Sequence, residues 1–524
     1  MASGESMPEF MDRVMPVVDE TIQAIEDPIG GARGRIARRV LKAVQNKDDL
    51  IMKKLFLVLI ASVTLITGAD AASKKPNIVL IMTDDQDDNG SISTMPTVTA
   101  LAQQGVRFIN SYAAQPLCAP SRSSFLSGQY PHNHGILGNV HAYGAFQPRE
   151  DRTIGPWLQS AGYQTAYIGK IINGYGEDSP PHVLPGWNEF DGWIPNDHNK
   201  YYEFSMYENG HMVQYGPNDY STDIFKTKAV NFIKRQHNSS PFFLLLTPNA
   251  PHRPHLPAAR HVGMFSSLPF ERSPAYDEND VSDKPSYIQE MPLIDAAGDL
   301  ANEVEFRQRR ECLMAVDEMV KAIIDALGNK IDNTIIIYTS DNGWSQGDHR
   351  KIGKNLQYES ASKVPLIIRW PGIAGGQVRR QLVNNLDLTA TVLDVAGATA
   401  TNPLDGVSLE NLIRDDTIPW RTSILIEAGH YSPEKYRSYS VRSNDWLYAE
   451  SYIGGTSVVF HEVYNQTLDP YQLNNEVAPS KTPSRFYSRV KDYFRDDLNK
   501  LKTCVGPSCW IGAFPALPKE KADE

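Results

Sequence analysis

Three apolar runs, each stopping abruptly at polar residues, constrain this chain more than any other feature. They are PNIVLIMTDD (76–85), PFFLLLTPNAPH (241–252) and NTIIIYTSDNG (333–343). Successive side chains of a strand point to opposite faces, so an uninterrupted apolar run is a strand buried on both. Strands of that kind sit in a parallel sheet covered by helices, and such sheets bind ligands along their carboxyl edge. Asp84, Asp85, His252, Asp341 and Asn342 therefore stand where chemistry is expected. Helix-like segments alternate with the strands: Met95 to Gly105, the start of TIGPWLQSAGYQTAYIGK (153–170) before a further strand, and Glu311 to Gly328. The fold expected is α/β, a large, mostly parallel central sheet flanked by helices. From about Pro403 the pattern shifts to short strand-like pieces, SILIEAG, YSVRSNDWLYAESY and FHEVYNQ, followed by helix-like SRVKDYFRDDLNKLKTC. This predicts a smaller C-terminal antiparallel subdomain with one helix. The boundaries expected are 73–402 for the main domain and 403–524 for the subdomain, with His255–Pro292 as a surface excursion.

The net charge of -11 over 524 residues argues against nucleic acid or an acidic membrane as partner, because both need a broad positive field. An anionic substrate then requires a locally basic pocket. Four cysteines, Cys118, Cys312, Cys504 and Cys509, are too few for a disulfide scaffold, although Cys504 and Cys509 could close one small loop and are expected to be bridged after export. MKKLFLVLIASVTLITGADAA (52–72) has the basic start, apolar middle and small-residue end of a signal peptide. Its apolar stretch is shorter than the roughly 20 residues that span a bilayer, so no stable membrane insertion is expected. The mature chain is expected in the secretory pathway, secreted, lysosomal or periplasmic according to the organism. Residues 1–51 read as an N-terminal extension without an assigned role, and Asn89, Asn238 and Asn465 open glycosylation sequons.

CAPSRSSFLSG (118–128) is the most specific motif. A cysteine ahead of a helix is ordinarily a small buried hydrophobe, but the spacing of Cys118, Pro120, Arg122, Leu126, Ser127 and Gly128 resembles the signature of the type I sulfatase family. That signature is Cys or Ser, any residue, Pro, any residue, Arg, a short gap, then Leu, Thr or Ser, and Gly. The resemblance implies an alkaline phosphatase/sulfatase-like sheet and hydrolysis of sulfate esters by a formylglycine, made from Cys118 by the formylglycine-generating enzyme during export. It further implies one divalent cation held by Asp84, Asp85, Asp341, Asn342 and an oxygen on residue 118. Oxygen-only ligation selects calcium, with magnesium the alternative. Lys170 in GYQTAYIGK, His252 in APHRP and Lys354 in KNLQYES resemble family positions and, with Arg122, would ring the sulfate and meet the need for local basicity. His349 in QGDHR matches a family histidine and is expected to contact substrate. Asp87 and Asp88 have no family counterpart and are expected to be loop residues. One departure stands out: many sulfatases follow the Gly-Lys with an aromatic residue and a histidine, whereas this chain has Ile171, Ile172 and Asn173. Asn173 cannot act as a base and is expected instead in a substrate-binding, positioning role.

GKIINGYG, LPGWNEFDGW, KYYEFSMYENG and TCVGPSCW are similar to the glucosamine-6-sulfatase branch of the family. A sulfated carbohydrate is the substrate this implies, 6-O-sulfated N-acetylglucosamine of a glycosaminoglycan. Trp193, Tyr201 and Tyr202, near Asn196, Asp197 and His198, could form a sugar platform or belong to the core. The alternatives are an arylsulfatase of other specificity, a phosphodiesterase or phosphonate monoester hydrolase of the same superfamily, and a sulfated-glycan-binding protein in which Cys118 stays unmodified.

Overall fold

Strand β1 (Asn77–Thr83) has all seven residues buried, and its side chains divide between two apolar layers. Ile78, Leu80 and Met82 enter one layer, Val79 and Ile81 the other, the arrangement that a continuous apolar run requires. Burying each of these side chains is worth about 1.5–3 kcal/mol. The computed structural model describes residues 75–194, 201–237, 239–429, 436–453 and 457–510. Residues 1–51, read above as an extension, residues 52–72, read as a signal peptide, and Asn196, Asp197, His198 and Asn238 lie outside them.

The remaining strands of the main sheet are β2 (Val106–Phe108), β3 (Gln164–Lys170), β4 (Glu189–Ile194), β5 (Ser205–Glu208), β6 (His211–Gln214), β7 (Phe242–Thr247), β8 (Thr334–Ser340), β9 (Leu366–Arg369) and β10 (Gln377–Arg379). They form one ten-stranded sheet in the order β10-β2-β9-β8-β1-β7-β3-β4-β5-β6. The central strands β8, β1, β7, β3 and β4 are mutually parallel, while β9 and β5 run against their neighbours. Helices α1 (Pro96–Gln103), α2 (Cys118–Ser127), α3 (Ile154–Ser160), α4 (Ser221–Arg235), α5 (Ala296–Leu327) and α6 (Asn385–Ala396) cover it. The apolar residues of α2, α3 and α6 fill the layer of Ile78; those of α1, α4 and α5 fill the layer of Val79. The α/β class and the mostly parallel sheet agree with the sequence. No helix among the described residues is long and apolar enough to cross a membrane.

The C-terminal part holds a separate antiparallel sheet, β11 (Ser423–Gly429), β12 (Tyr436–Ser443), β13 (Trp446–Ile453) and β14 (Val458–Asn465), with helix α7 (Arg485–Leu501). Val490, Phe494, Leu498 and Leu501 of α7 pack with Leu425, Val441, Tyr448 and Val463, as the amphipathic spacing dictates. Cys504 and Cys509 are disulfide-bonded just after α7. The loop they close is tied back to the main domain: Asp405 accepts from Gly506 N at 2.6 Å and from Tyr130 N at 2.7 Å, and Asn133 donates to Cys504 O at 2.8 Å. Because the loop is short, the chain-entropy contribution is about 2 kcal/mol. Replacing both cysteines by alanine should lower the denaturation free energy by about that amount; a denaturant midpoint unmoved by the change would show that the bridge is dispensable.

The structure refines three expectations. Helix α5 starts at Ala296, well before Glu311, with Asp295 capping it through Gly298 N at 2.7 Å. Its first turns lack apolar periodicity because they face polar loops. The segment His255–Pro292 runs over the surface in its first part, with Val262 and Met264 exposed, but its later part is anchored: Ile288 is buried in a cluster with Leu356, Tyr358 and Tyr464, and the buried Lys284 pairs with Asp283 at 2.6 Å. Asp87 and Asp88 are loop residues as expected, and the loop is fixed by their ion pairs, Asp87 buried against Arg309 at 3.0 Å and Asp88 paired with Arg107 at 3.1 Å.

Candidate active site

The carboxyl edge of neighbouring strands β8, β1, β7 and β3 gathers Asp341 and Asn342, Asp84 and Asp85, His252 and Lys170. Asp341 N donates to Thr83 O at 3.0 Å, extending the β1–β8 ladder by one rung. The chain then turns at Asp85, whose φ is 67°, a left-handed conformation that costs a non-glycine residue about 1–2 kcal/mol. Several groups hold that turn. Asp85 N donates to Asp341 Oδ1 at 3.1 Å and Asn342 Nδ2 donates to Asp85 Oδ1 at 2.7 Å. From α5, Arg309 Nη2 donates to Asp85 O at 2.6 Å while also holding Asp87. Arg309 is buried, with its guanidinium over the Trp344 ring at 5.0 Å.

Helix α2 delivers Cys118 as its first residue, and all ten of its residues are buried. So many buried hydroxyls need partners, and the partners fix the helix against the sheet edge. Ser121 donates to Asp341 O, Asn385 of α6 donates to Ser121 O at 2.9 Å, and Ala119 N donates to Asn139 Oδ1 at 3.0 Å. Gly128 ends the helix at φ 69°, where a Cβ would collide with Leu404. The fixed Leu-Ser-Gly end of the motif is thus a packing requirement, whereas its Cys and Arg end faces the site.

Cys118 Sγ lies 3.3 Å from Asp84 Oδ1 and 4.0 Å from Asp85 Oδ1. Lys354 touches both Sγ and Asp85, and Lys170 pairs with Asp84. Arg122 Nε donates to Asp341 Oδ2 at 2.9 Å, and its Nη2 stands 3.7 Å from Asp84. His252 Nε2 is 3.6 Å from Asp85 Oδ2. Glycine is needed at 169, at φ 114°, because a Cβ there would strike Thr247 O and push β3 away just before Lys170.

Burial would raise the pKa of Asp84, yet Lys170, His252 and Arg122 hold it well below its usual value. Asp85 is likewise lowered against burial, by Lys354 and His252. Burial and the neighbouring Asp84 push Asp341 up to about 6. Burial, with Asp84 second, pushes the Cys118 thiol up to about 12, and burial draws His252 down to about 4 despite the two aspartates. Three carboxylates are thus set against the three cations Arg122, Lys170 and Lys354. A dication added to that balance leaves the pocket positive, which suits an anionic ester.

Ligand atoms of Asp84, Asp85, Cys118 and His252 all lie within 4.8 Å of one another. Asp85 Oδ2 and Asn342 Oδ1 are buried without hydrogen-bond partners. Two orphaned oxygens on adjacent strand ends, beside further carboxylates, make a donor set that fits a hard divalent cation. Asp341 stands at the edge of this set, both its oxygens already accepting, from Asp85 N and Arg122.

Of the residues expected in the site, Asp84, Asp85, Cys118, Arg122, Lys170, His252, Asp341, Asn342 and Lys354 are brought together. Asn173 lines a cavity beside Lys170, with Oδ1 unpaired. His349 is buried, bonded through Nδ1 to Glu278 at 2.6 Å and packed on Tyr358, with ring centroids 4.4 Å apart. Trp193 and Tyr201 are core residues, 1% and 0% exposed. Sequence reasoning missed Arg309 and Glu305. Glu305 accepts from Trp344 Nε1 at 2.9 Å and from Arg253 at 2.8 Å, next to His252.

Comparison with known proteins agrees with this geometry. The sulfatase family model matches residues 76–398, and a model described as N-sulphoglucosamine sulphohydrolase, C-terminal, matches 347–503. N-acetylglucosamine-6-sulfatase of Capra hircus is 32% identical over 492 residues, covering 85% of this chain and 86% of the relative. A solved structure of a protein in complex with its substrate D-glucosamine-2-N,6-O-disulfate superposes with a TM-score of 0.69 at 25% identity, over 82% of this chain and 98% of that one. The phosphonate monoester hydrolase of Agrobacterium radiobacter shares the fold, with a TM-score of 0.63 at 20% identity, over 82% of this chain and 95% of that one. With the motif, the strand-end cluster and the family match all falling on the same residues, the chain belongs to the sulfatase family and is a sulfuric ester hydrolase.

Proposed function

We propose that the protein removes the 6-O-sulfate of N-acetylglucosamine at the end of a glycosaminoglycan such as heparan or keratan sulfate, using a formylglycine made from Cys118 and one divalent cation, calcium before magnesium. The substrate rests on likeness: the Capra hircus relative is named for that activity, and the glucosamine disulfate complex holds a 6-O-sulfated amino sugar.

Unmodified, residue 118 suits its place poorly. A thiol pushed up to about 12 by burial and Asp84 supplies almost no thiolate, and sulfur is a soft donor among hard oxygens. A formylglycine there supplies, in its hydrated form, an oxygen nucleophile and a second hydroxyl whose deprotonation releases sulfate. A calcium ion held by Asp84, Asp85, Asp341 and Asn342 supplies positive charge beside that nucleophile.

The other tasks belong to the chain's own side chains. Lys170 and Lys354, each set between a carboxylate and residue 118, hold the sulfuryl oxygens and offset the charge that grows on them. Arg122 fixes Asp341 and adds a charge that burial cannot remove. His252 faces the cluster through Nε2 while its Nδ1–H donates to Arg253 O at 2.8 Å, so Nε2 donates to the departing alcohol oxygen only in the imidazolium form. Maturation requires the formylglycine-generating enzyme acting on CAPSR during export, in keeping with the signal-peptide reading of 52–72 and a place in the secretory pathway.

The test compares kcat/KM on N-acetylglucosamine-6-sulfate, a 2-O-sulfated uronate, an aryl sulfate and a matched phosphate ester, because specificity is a ratio of those values. The 6-sulfated sugar should lead by about tenfold or more. Preference for the aryl ester or the uronate would reject the substrate and leave the family standing. Mass analysis of the peptide carrying residue 118 should find the aldehyde, and an intact thiol in active protein would reject the formylglycine.

A further inference from the structure

Beside the catalytic cluster lies a second, smaller space of about 270 Å³, bounded by Asn139, Lys170, Asn173, Glu177, Asp178 and Trp193. Its position follows from the sheet register. Lys170 at the end of β3 is paired with Trp193 on β4, so the indole is the next side chain along the carboxyl edge after a residue bonded to Asp84.

Two polar atoms on that wall have no partner. Trp193 is 1% exposed, and its indole Nε1 makes no hydrogen bond; Asn173 Oδ1 is likewise buried and unpaired. Folded proteins pair nearly all such atoms, and a buried indole N–H usually finds an acceptor. Here one donor and one acceptor are left over on the same cavity. Trp193 cannot be a stacking platform for a sugar, because its ring lies in the apolar layer with Ile168, Tyr201 and Phe204. What it has left to offer is the N–H edge.

We propose that Trp193 Nε1 and Asn173 Oδ1 form a specificity pocket for a secondary amide on the substrate, the indole N–H donating to the amide carbonyl and the asparagine oxygen accepting from the amide N–H. An amide carries its donor and its acceptor on two separate atoms and so can answer two orphans that stand apart, whereas a hydroxyl carries both on one oxygen and a protonated amine brings only donors and would leave the indole N–H unpaired. This rests on the saccharide reading above and narrows it to an acylated amino sugar. Discrimination of this kind is strong because the mismatched substrate leaves buried polar atoms without partners.

The experiment measures kcat/KM on N-acetylglucosamine-6-sulfate, glucosamine-6-sulfate, glucose-6-sulfate and an aryl sulfate, for the native enzyme, Trp193→Phe and Asn173→Leu. Trp193→Phe keeps the aromatic packing and deletes only the N–H. The native enzyme should favour the N-acetyl sugar over the free amine and over glucose-6-sulfate by about tenfold or more. Trp193→Phe should lose about tenfold more on the N-acetyl sugar than on the aryl sulfate, chiefly through KM, and Asn173→Leu should do the same. Equal losses on every substrate, or an undiminished preference for the N-acetyl sugar in both variants, would overturn the pocket. If the native enzyme hydrolyses the aryl ester but no sugar sulfate, the saccharide reading fails first, and the pocket with it. Melting temperatures within a few degrees of native separate a binding loss from misfolding.

Discussion

Replacing Cys118 by alanine is expected to lower kcat on every sulfate ester by at least about 10⁴-fold, more than 5 kcal/mol of barrier, with the fold retained. The small structural cost follows from what the thiol touches. Cys118 is buried at the start of α2, and its contacts are to Asp84, Asp85 and Lys354 rather than to an apolar layer. The bonds that fix the helix run through Ser121, Asn385 and Asn139, which the substitution leaves intact. Removing one small buried group costs about 1 kcal/mol, so the melting transition should move by only a few degrees. Serine at the same position makes the sharper test. A single hydroxyl can take up sulfate but lacks the second hydroxyl needed to expel it, so Cys118→Ser should accumulate a stable sulfate ester, read as a mass gain on the peptide from α2. An alanine variant that still turned over aryl sulfate would remove residue 118 from the chemistry.

The parts of this molecule legible in the sequence are those where one physical demand leaves one pattern. A strand covered on both faces must be apolar throughout, so β1, β7 and β8 could be read directly, together with the polar residues ending them. The motif starting at Cys118 was legible because the helix end, the tight Gly128 and the site-facing Cys and Arg each fix a residue type. Charged residues on a helix carry no such signal, since most lie in water. Arg309 and Arg310 are adjacent in sequence, and nothing in it distinguishes the one that reaches 224 positions back to hold Asp85. Depth was equally hidden. Trp193 reads the same whether its face meets a sugar or the apolar layer, and its place opposite Lys170 emerges only from the strand register. His349 matched a family position, and its motif carries no sign of the Glu278 that holds its Nδ1.

Asp341→Asn carries the other large effect, because one side chain serves three functions. Its Oδ1 receives Asp85 N and so steadies a left-handed turn, its Oδ2 receives Arg122, and in the cation site proposed above the same carboxylate would complete the oxygen set beside Asp85 Oδ2 and Asn342 Oδ1. Asparagine matches the volume but exchanges an acceptor for an amide NH2. That amide NH2 must face either Arg122 or Asp85 N, donor against donor, while the one carboxylate left to Arg122 is the more distant Asp84 at 3.7 Å. Breaking a buried ion pair from one side costs about 3–5 kcal/mol, so a lower melting temperature is expected and is not by itself informative. The informative readout is the response to calcium. A ligand present at 100 times its dissociation constant stabilises the folded state by about 2.7 kcal/mol. Chelation should therefore lower the melting temperature of the native protein and calcium should restore it, whereas in Asp341→Asn the calcium-dependent shift should largely vanish. kcat/KM should fall by at least about 10³-fold, near 4 kcal/mol of transition-state stabilisation. Excess aryl sulfate should not recover the rate, because the loss lies in kcat and not in substrate affinity. A variant that kept the full calcium shift and normal turnover would remove Asp341 from the cation site and leave it only as the anchor of Arg122.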